Sequence, residues 1–147
     1  MAPVPNGRYT VTRPNEQMLT LRDGDSAPGT PAVILPPTGN PGEQEWEVQA
    51  AGNGTCTIRN LGSGTYLGYD GGAEANKPVG GYATACEWAL LPNGEDSTFH
   101  LVVPGDPVDG QELALDTSLL RIFPPRTAIR PLDISDRGQA WYFRFHA

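Results

Sequence analysis

Side chains that could do chemistry are few in this chain, and they are not arranged for catalysis. The two cysteines, Cys56 and Cys86, and the two histidines, His100 and His146, show no metal-ligand spacing, so we predict no metal site. Gly62-Ser63-Gly64 lacks the G-x-S-x-G spacing of a nucleophile elbow, and no glycine loop precedes a helix to hold phosphate. With 17 acidic residues, neighbouring carboxylates are weak evidence for glycosidase chemistry. We therefore expect no enzyme activity and no cofactor.

The elements that position these side chains are short strands in three related segments. The three tryptophans lie in blocks of alternating apolar residues that are typical of half-buried strands. The blocks are Gln44-Glu45-Trp46-Glu47-Val48, Cys86-Glu87-Trp88-Ala89-Leu90 and Gln139-Ala140-Trp141-Tyr142-Phe143. An Asn-Gly pair, which favours a tight turn, precedes the first strand of each segment: Asn6-Gly7, Asn53-Gly54 and Asn93-Gly94.

Between these marks each segment has room for four strands. The predicted strands are 8–12, 18–22, 32–35 and 45–49, then 55–60, 65–69, 79–83 and 87–91, then 98–103, 112–115, 127–132 and 140–145. Twelve short strands in three four-strand units predict an all-β fold, the β-trefoil, in which a closed barrel leaves no exposed strand edges. We expect one domain over 1–147, with repeats at roughly 6–50, 51–92 and 93–147.

Composition and charge limit the partners. Gly and Pro together make up 33 of the 147 residues, as expected for many turns. A net charge of −7 with only ten Lys and Arg argues against nucleic acid and against an anionic membrane surface. Residues 1–5 show neither a basic segment nor an apolar run, so we expect a protein made without export, in the cytoplasm. There we expect two buried thiols, with a single Cys56–Cys86 bridge as the alternative if their strands are neighbours.

Several blocks resemble the trefoil protease inhibitors of mushroom fruiting bodies, a group that includes serine protease inhibitors and is related to the mycocypins. The similar blocks are Gly7-Arg8-Tyr9-Thr10-Val11, Ala32-Val33-Ile34-Leu35-Pro36-Pro37, Gln44-Glu45-Trp46-Glu47-Val48 and Ala140-Trp141-Tyr142-Phe143. The resemblance implies a rigid loop that enters the active site of a protease. A serine protease is the first expected partner, and a legumain-type protease is the alternative.

The resemblance also implies particular loops. For the mycocypins, the resemblance implies a site against papain-like enzymes on a long glycine-rich first hairpin. In this chain that hairpin consists only of residues 14–17. The resemblance implies a legumain site at an asparagine in the loop between the fifth and sixth strands. Asn60 lies at the edge of that loop, and the alternative is that it merely ends a strand. A further family loop corresponds to residues 23–31, which has no basic residue, so Ala27 or Thr30 would suit an elastase-like or subtilisin-like pocket.

The third segment supplies the basic candidates that the resemblance implies for a trypsin-like target. Arg137 lies between the last two predicted strands, and Arg121 and Arg126 flank a proline-containing apolar run. An arginine can pair with the carboxylate of a primary specificity pocket, and prolines reduce the ordering cost of binding. The alternative is that these arginines are solvated turn residues.

A second resemblance favours a carbohydrate-binding lectin. Gln44-x-Trp46 and Gln139-x-Trp141 look like the Q-x-W strands of ricin-B-type trefoil lectins, with Cys86 replacing Gln in the middle copy. This resemblance implies a sugar pocket formed by an Asp after the second strand and an aromatic ring near the third. Asp70 with Tyr82 fits that pattern, because a carboxylate accepts sugar hydroxyls beside a stacking ring. Of the two resemblances, the one to protease inhibitors gives the first hypothesis, a protease inhibitor. The alternatives are a lectin or a trefoil that only mediates protein contact.

Overall fold

The computed structural model describes residues 4–13, 17–105, 107–108 and 110–146, except for the side chains of Asn53 and Arg137. The predicted hairpin 14–17 therefore lies mostly outside the described residues. The strands are β1 (Gly7–Thr12), β2 (Met18–Leu21), β3 (Thr30–Leu35), β4 (Trp46–Ala50), β5 (Thr55–Asn60), β6 (Tyr66–Gly68), β7 (Lys77–Pro78), β8 (Gly80–Tyr82), β9 (Glu87–Pro92), β10 (Thr98–Val102), β11 (Leu113–Thr117), β12 (Thr127–Pro131) and β13 (Trp141–His146).

Six strands close into a barrel. In order around the barrel, β1 pairs with β4, β4 with β5, β5 with β9, β9 with β10, β10 with β13, and β13 again with β1, all antiparallel. The hairpins β2–β3, β6–β8 and β11–β12 cover one end and join one another through the β3–β8 and β7–β12 pairs. This is the predicted β-trefoil, and the all-β prediction is confirmed. The repeat boundaries at 50/51 and 92/93 stay a prediction.

The strand count differs from the prediction at one place. The expected strand 79–83 is the shorter β8, and an additional strand, β7, precedes it. β7 pairs with β12 of the third hairpin, whereas β8 pairs with β6. Val79 lies between them, and its backbone N–H donates to Thr127 O at 3.1 Å. Thirteen strands therefore replace the predicted twelve. Gly54 and Gly94 have φ of 79° and 96°, as the Asn-Gly turn signals require.

The core lies along the barrel axis and is organised by the tryptophans. Trp46, Trp88 and Trp141 have no exposed surface. Each indole N–H donates to a backbone carbonyl of the second strand of its own segment: Leu19 at 3.0 Å, Leu67 at 2.9 Å and Leu115 at 3.1 Å. These three bonds make the segments directly comparable, residue by residue.

No helix among the described residues is long and apolar enough to cross a membrane. Cys56 and Cys86 are both free thiols, so the bridge that the sequence left open is not formed.

Candidate functional site

The indole bonds define which residues correspond in the three segments. The residue after each anchored leucine is Thr20, Gly68 or Asp116, and the residue two before each tryptophan is Gln44, Cys86 or Gln139. Cross-strand pairing adds a third position, because Leu19, Leu67 and Leu115 lie opposite Ile34, Gly81 and Ile129. The next residue on the third strand is accordingly Leu35, Tyr82 or Arg130.

In the first and third segments a glutamine side chain fills the space beside the hairpin. Gln44 Nε2 donates to Thr20 Oγ1 at 3.0 Å and to Pro36 O at 2.9 Å. Gln139 Nε2 donates to Asp116 Oδ2 at 3.2 Å and to Pro131 O at 2.9 Å. These hydrogen bonds tie the Trp strand to the second and third strands of the hairpin.

In the second segment this bridge is missing and a cavity takes its place. The cavity has a volume of about 560 Å³ and is lined by Pro28, Gly68, Tyr69, Asp70, Gly71, Tyr82, Ala83, Thr84, Ala85 and Cys86. A Cβ atom at Gly68 would lie 2.9 Å from Cys86 Cβ, so this contact requires glycine. Neither Gly68 nor Cys86 has a side chain long enough to make the bridge that the glutamines make.

A shorter loop contributes to the same opening. The chain runs twelve residues from Ile34 to Trp46 and from Ile129 to Trp141, but seven from Gly81 to Trp88. The residues that cover the hairpin in the other segments therefore have no counterpart over Tyr82. The cavity results from two small residues and a loop that is shorter by five positions.

The cavity places a carboxylate beside an aromatic ring. The Asp70 side chain is exposed and Tyr82 is half-buried. Burial raises the pKa of the Tyr82 hydroxyl, and the negative charge of Asp70 raises it further, so the two groups are within electrostatic reach. Lys77 Nζ donates to the backbone oxygen of Asp70 at 2.7 Å. Among the described residues no cation pairs with the Asp70 carboxylate, which is therefore free to accept hydrogen bonds from a ligand.

The cavity is not equipped for nucleophilic catalysis. Cys86 lines it, but burial raises the pKa of this thiol, and hydrogen bonding to Tyr69 only partly offsets the effect. A neutral thiol is a poor nucleophile. Cys56 lies outside the cavity in the barrel core, and burial raises its pKa to about 12.

The structure thus brings Asp70 and Tyr82 together, as the lectin hypothesis requires, although their binding of sugar stays a prediction. Sequence reasoning missed three of the residues that shape this site: Pro28, Gly68 and Gly71. The replacement of Gln by Cys86 in the middle Trp block is the signal that could have located the cavity.

Two of the proposed protease-binding residues are not available at the surface. Asn60 is fully buried; its Nδ2 donates to Glu43 O at 3.1 Å and its Oδ1 accepts from Ser63 N at 3.0 Å. Thr30 is also buried, and its hydroxyl donates to Ala27 O at 2.7 Å. Both side chains hold loops together in this structure, and a role of either residue in protease binding stays a prediction. Ala27 is exposed.

The basic candidates differ among themselves. Arg121 is exposed in the loop 118–126, and Arg126 is half-buried at the end of that loop, where its O accepts from Ser118 N at 2.8 Å. The loop also exposes four apolar side chains, Leu119, Leu120, Ile122 and Phe123, and Phe123 is 87% exposed. Arg137 begins a 3-10 turn, and its side chain lies outside the described residues.

A protein-family model matches slightly more than half of the chain. The model of the ricin-type β-trefoil lectin domain-like family matches residues 42–118. The chain belongs to this family. No curated protein sequence matches the chain significantly.

Solved structures of similar fold include fungal lectins. The Rhizoctonia solani agglutinin is 23% identical, with a TM-score of 0.81 over 99% of each chain. The Macrolepiota procera ricin B-like lectin, solved in complex with lactose, is 19% identical, with a TM-score of 0.79 over 97% of this chain and 99% of that one. A Polyporus squamosus lectin is 16% identical, with a TM-score of 0.74 over 95% of this chain and 49% of that one.

These findings favour the lectin hypothesis over protease inhibition. This ricin-type trefoil shares its fold with the lectins above, and at these identities the likeness shows the fold alone. The resemblance to mushroom protease inhibitors is supported only as far as the trefoil fold itself.

Proposed function

We propose that this ricin-type trefoil binds carbohydrate in the second-segment cavity. The observation that carries the proposal is the pairing of Asp70 with Tyr82 in an open cavity that has no counterpart of the Gln44 or Gln139 bridge. Its volume of about 560 Å³ lies within the usual range for small-molecule sites. The match to the lectin-like family and the fungal lectin folds support the same function.

Each side chain has a distinct role in this proposal. The Asp70 carboxylate accepts hydrogen bonds from neighbouring sugar hydroxyls, and charged acceptors make stronger hydrogen bonds than neutral ones. The Tyr82 ring packs against the apolar C–H face of the sugar. The absence of side chains at Gly68 and Gly71, which both line the cavity, leaves room for the sugar ring. Binding involves no bond breaking, because the cavity offers a single carboxylate and an unactivated thiol.

The proposal implies one such site in each chain. Leu35 and Arg130 replace the aromatic ring in the first and third segments, and the glutamine bridges fill the matching spaces there. Within the part of the chain that the structure describes, the cavity with both a carboxylate and a ring is therefore that of the second segment. We expect a stoichiometry of one sugar per chain.

The test begins with a glycan array and continues with calorimetric titration of the best-bound glycan. Tyr82→Ala and Asp70→Asn should each weaken binding by about tenfold or more, the scale expected for a central contact residue. Asp96→Asn changes the same residue type as Asp70→Asn at an exposed site outside the cavity and should leave the affinity unchanged. An array without hits, or a hit whose affinity survives both cavity variants, would reject this site.

Protease inhibition is the second candidate function, and one observation favours it. The loop 118–126 is held at its base by Ser118 N to Arg126 O and by Ile34 N to Pro125 O, at 2.8 Å each, while Arg121 and its apolar neighbours project outward. A rigid exposed loop of this kind suits insertion into an active site. Residual activity of trypsin, chymotrypsin, subtilisin, papain and legumain would be measured with wild type and Arg121→Ala. Inhibition that is lost in the variant would support the candidate, and an inactive panel would exclude it for these enzymes.

A further inference from the structure

A second cavity lies on the outer barrel wall, between the first and last strands. In the β1–β13 pair, Thr12 is opposite Tyr142 and Thr10 is opposite Arg144. Because side chains alternate along a strand, these four residues and His146 face the same side of the sheet. Met18 and Pro37 complete a cavity of about 430 Å³. We call this cavity the β1–β13 groove, defined by Thr10, Thr12, Met18, Pro37, Tyr142, Arg144 and His146.

The groove has the charge of an anion site in an otherwise acidic chain. Among the described residues, its lining holds one arginine, one histidine, three hydroxyl groups and no carboxylate, whereas the whole chain has a net charge of −7. Arg144 is exposed, and among the described residues no acidic side chain pairs with it. Arg8, opposite His146, is by contrast close to Glu45 at 3.6 Å. The unpaired charge of the groove is therefore that of Arg144.

The polar groups of the groove are held in position before any ligand arrives. Thr10 is buried, and a hydrogen bond of 3.1 Å joins its Oγ1 to His146 Nε2. This contact fixes the imidazole ring at one end of the groove. Tyr142, which is 42% exposed, presents its ring and hydroxyl at the other end, next to Thr12. Preorganised donors around an unpaired guanidinium lower the ordering cost of binding.

The corresponding strand pairs of the barrel lack this combination. Counting from the tryptophans, Glu47 and Gln49 on β4, and Ala89 and Leu91 on β9, stand where β13 has Tyr142 and Arg144. The groove is thus a property of this strand pair and not a general consequence of the trefoil.

We propose that the β1–β13 groove binds an oxyanion, a sulfate, phosphate or carboxylate group, carried on a molecule about the size of a monosaccharide. Arg144 forms the charged hydrogen bonds to the oxyanion. His146 and the hydroxyl of Thr12 donate further hydrogen bonds. The ring of Tyr142 and the apolar surfaces of Met18 and Pro37 contact the body of the ligand. This site is independent of the sugar cavity, which lies in the second segment.

The test measures binding of inorganic sulfate, inorganic phosphate and a sulfated monosaccharide by calorimetry and by NMR shifts of the histidine ring protons. We expect saturable binding with shifts of His146, tightest for the sulfated sugar, and weaker at high salt because exposed charges are screened. Arg144→Gln should weaken binding about tenfold or more, since a charged hydrogen bond is lost. The matched control Arg121→Gln removes an exposed arginine elsewhere and should change nothing. Tyr82→Ala tests the sugar cavity separately and should leave this binding intact.

Three results would overturn the inference. They are absence of binding by all three probes, equal weakening by Arg144→Gln and Arg121→Gln, and loss of binding in Tyr82→Ala. Equal affinity for the inorganic ions and the sulfated sugar would show that the site takes a free anion, which would contradict the roles given to Tyr142, Met18 and Pro37.

Discussion

Substitution of Gly68 by alanine should destabilise the protein, because Gly68 of β6 is in close contact with Cys86, the residue before β9. The added Cβ would lie 2.9 Å from Cys86 Cβ and 3.4 Å from its sulfur, whereas carbon atoms in favourable contact are about 3.5–4.0 Å apart. Overpacking of this kind costs about 1–3 kcal/mol. For a chain of 147 residues that corresponds to a fall in Tm of roughly 3–10 °C.

The assay is thermal unfolding of a double-mutant cycle. Gly68→Ala should lower Tm on its own, and the loss should largely disappear in the background of Cys86→Gly, since the clashing atoms are then absent. Gly72→Ala is the matched control, because a Cβ there meets no atom within 4 Å, and we expect a change within about 0.5 kcal/mol. A Gly68→Ala variant as stable as wild type, or equal losses in both backgrounds, would refute the claim that this contact requires glycine.

Three further predictions concern the core. His100 is 1% exposed, and burial lowers its pKa in the folded protein. Below about pH 6.5 the unfolded chain therefore binds more protons than the folded protein. The free energy of unfolding of the wild type should accordingly fall as the pH is lowered from 7 to 5. Urea unfolding of His100→Thr, which introduces the residue type found at the equivalent positions 10 and 57, should show a flatter pH profile. Trp46→Phe leaves Leu19 O without its indole donor and should cost at least about 1–3 kcal/mol in urea unfolding. A thiol reagent followed by mass spectrometry should label Cys86 in the native protein but Cys56 only after unfolding; native labelling of Cys56 would contradict its burial.

The fold could be predicted because its signals are local and repeated. Each Trp block combines strand alternation with a large side chain that must be buried, and three such blocks at similar spacing are enough to indicate a trefoil. The turn signals at Gly54 and Gly94 depend only on the conformation of the glycine itself. The additional strand β7 could not be predicted in the same way, because it is defined by its pairing with β12, about fifty residues away in sequence.

The candidate residues show the same division between local and distant causes. Asp70 and Tyr82 were predicted from their places after the second strand and in the third strand, and they do face one cavity. Asn60 looked like a loop residue because it ends a strand before Gly62 and Gly64. Its burial depends on carbonyl acceptors supplied by residues 43 and 45, which local sequence patterns do not reveal. Thr30 is buried as well, at the start of β3, where its hydroxyl donates to Ala27 O and its backbone pairs with Gly81.

The glutamine of the Q-x-W pattern has a structural role in this chain, although the pattern suggests that it marks a sugar-binding segment. Gln44 and Gln139 are both buried, and the side-chain amide of each donates hydrogen bonds to the second and third strands of its own hairpin. They stabilise the scaffold and at the same time fill the space in which a ligand would lie. Arg13, the residue after β1, also covers the matching space of the third segment. Its guanidinium lies 4.9 Å from the centre of the Trp141 ring and 3.7 Å from Asp116.

The open cavity therefore belongs to the segment that departs from the pattern. Loss of the glutamine at Cys86 removes a bridge worth a few hydrogen bonds, and Gly68 and the shorter loop after Tyr82 leave the space unfilled. The other two bridges and the three indole bonds still hold the trefoil together, so one segment can give up its bridge without loss of the fold. A scan that ranks segments by agreement with Q-x-W would select the first and third. The space that the glutamine fills in those two segments is open in the second, and Tyr82→Ala decides whether glycan binds there by whether it abolishes glycan binding.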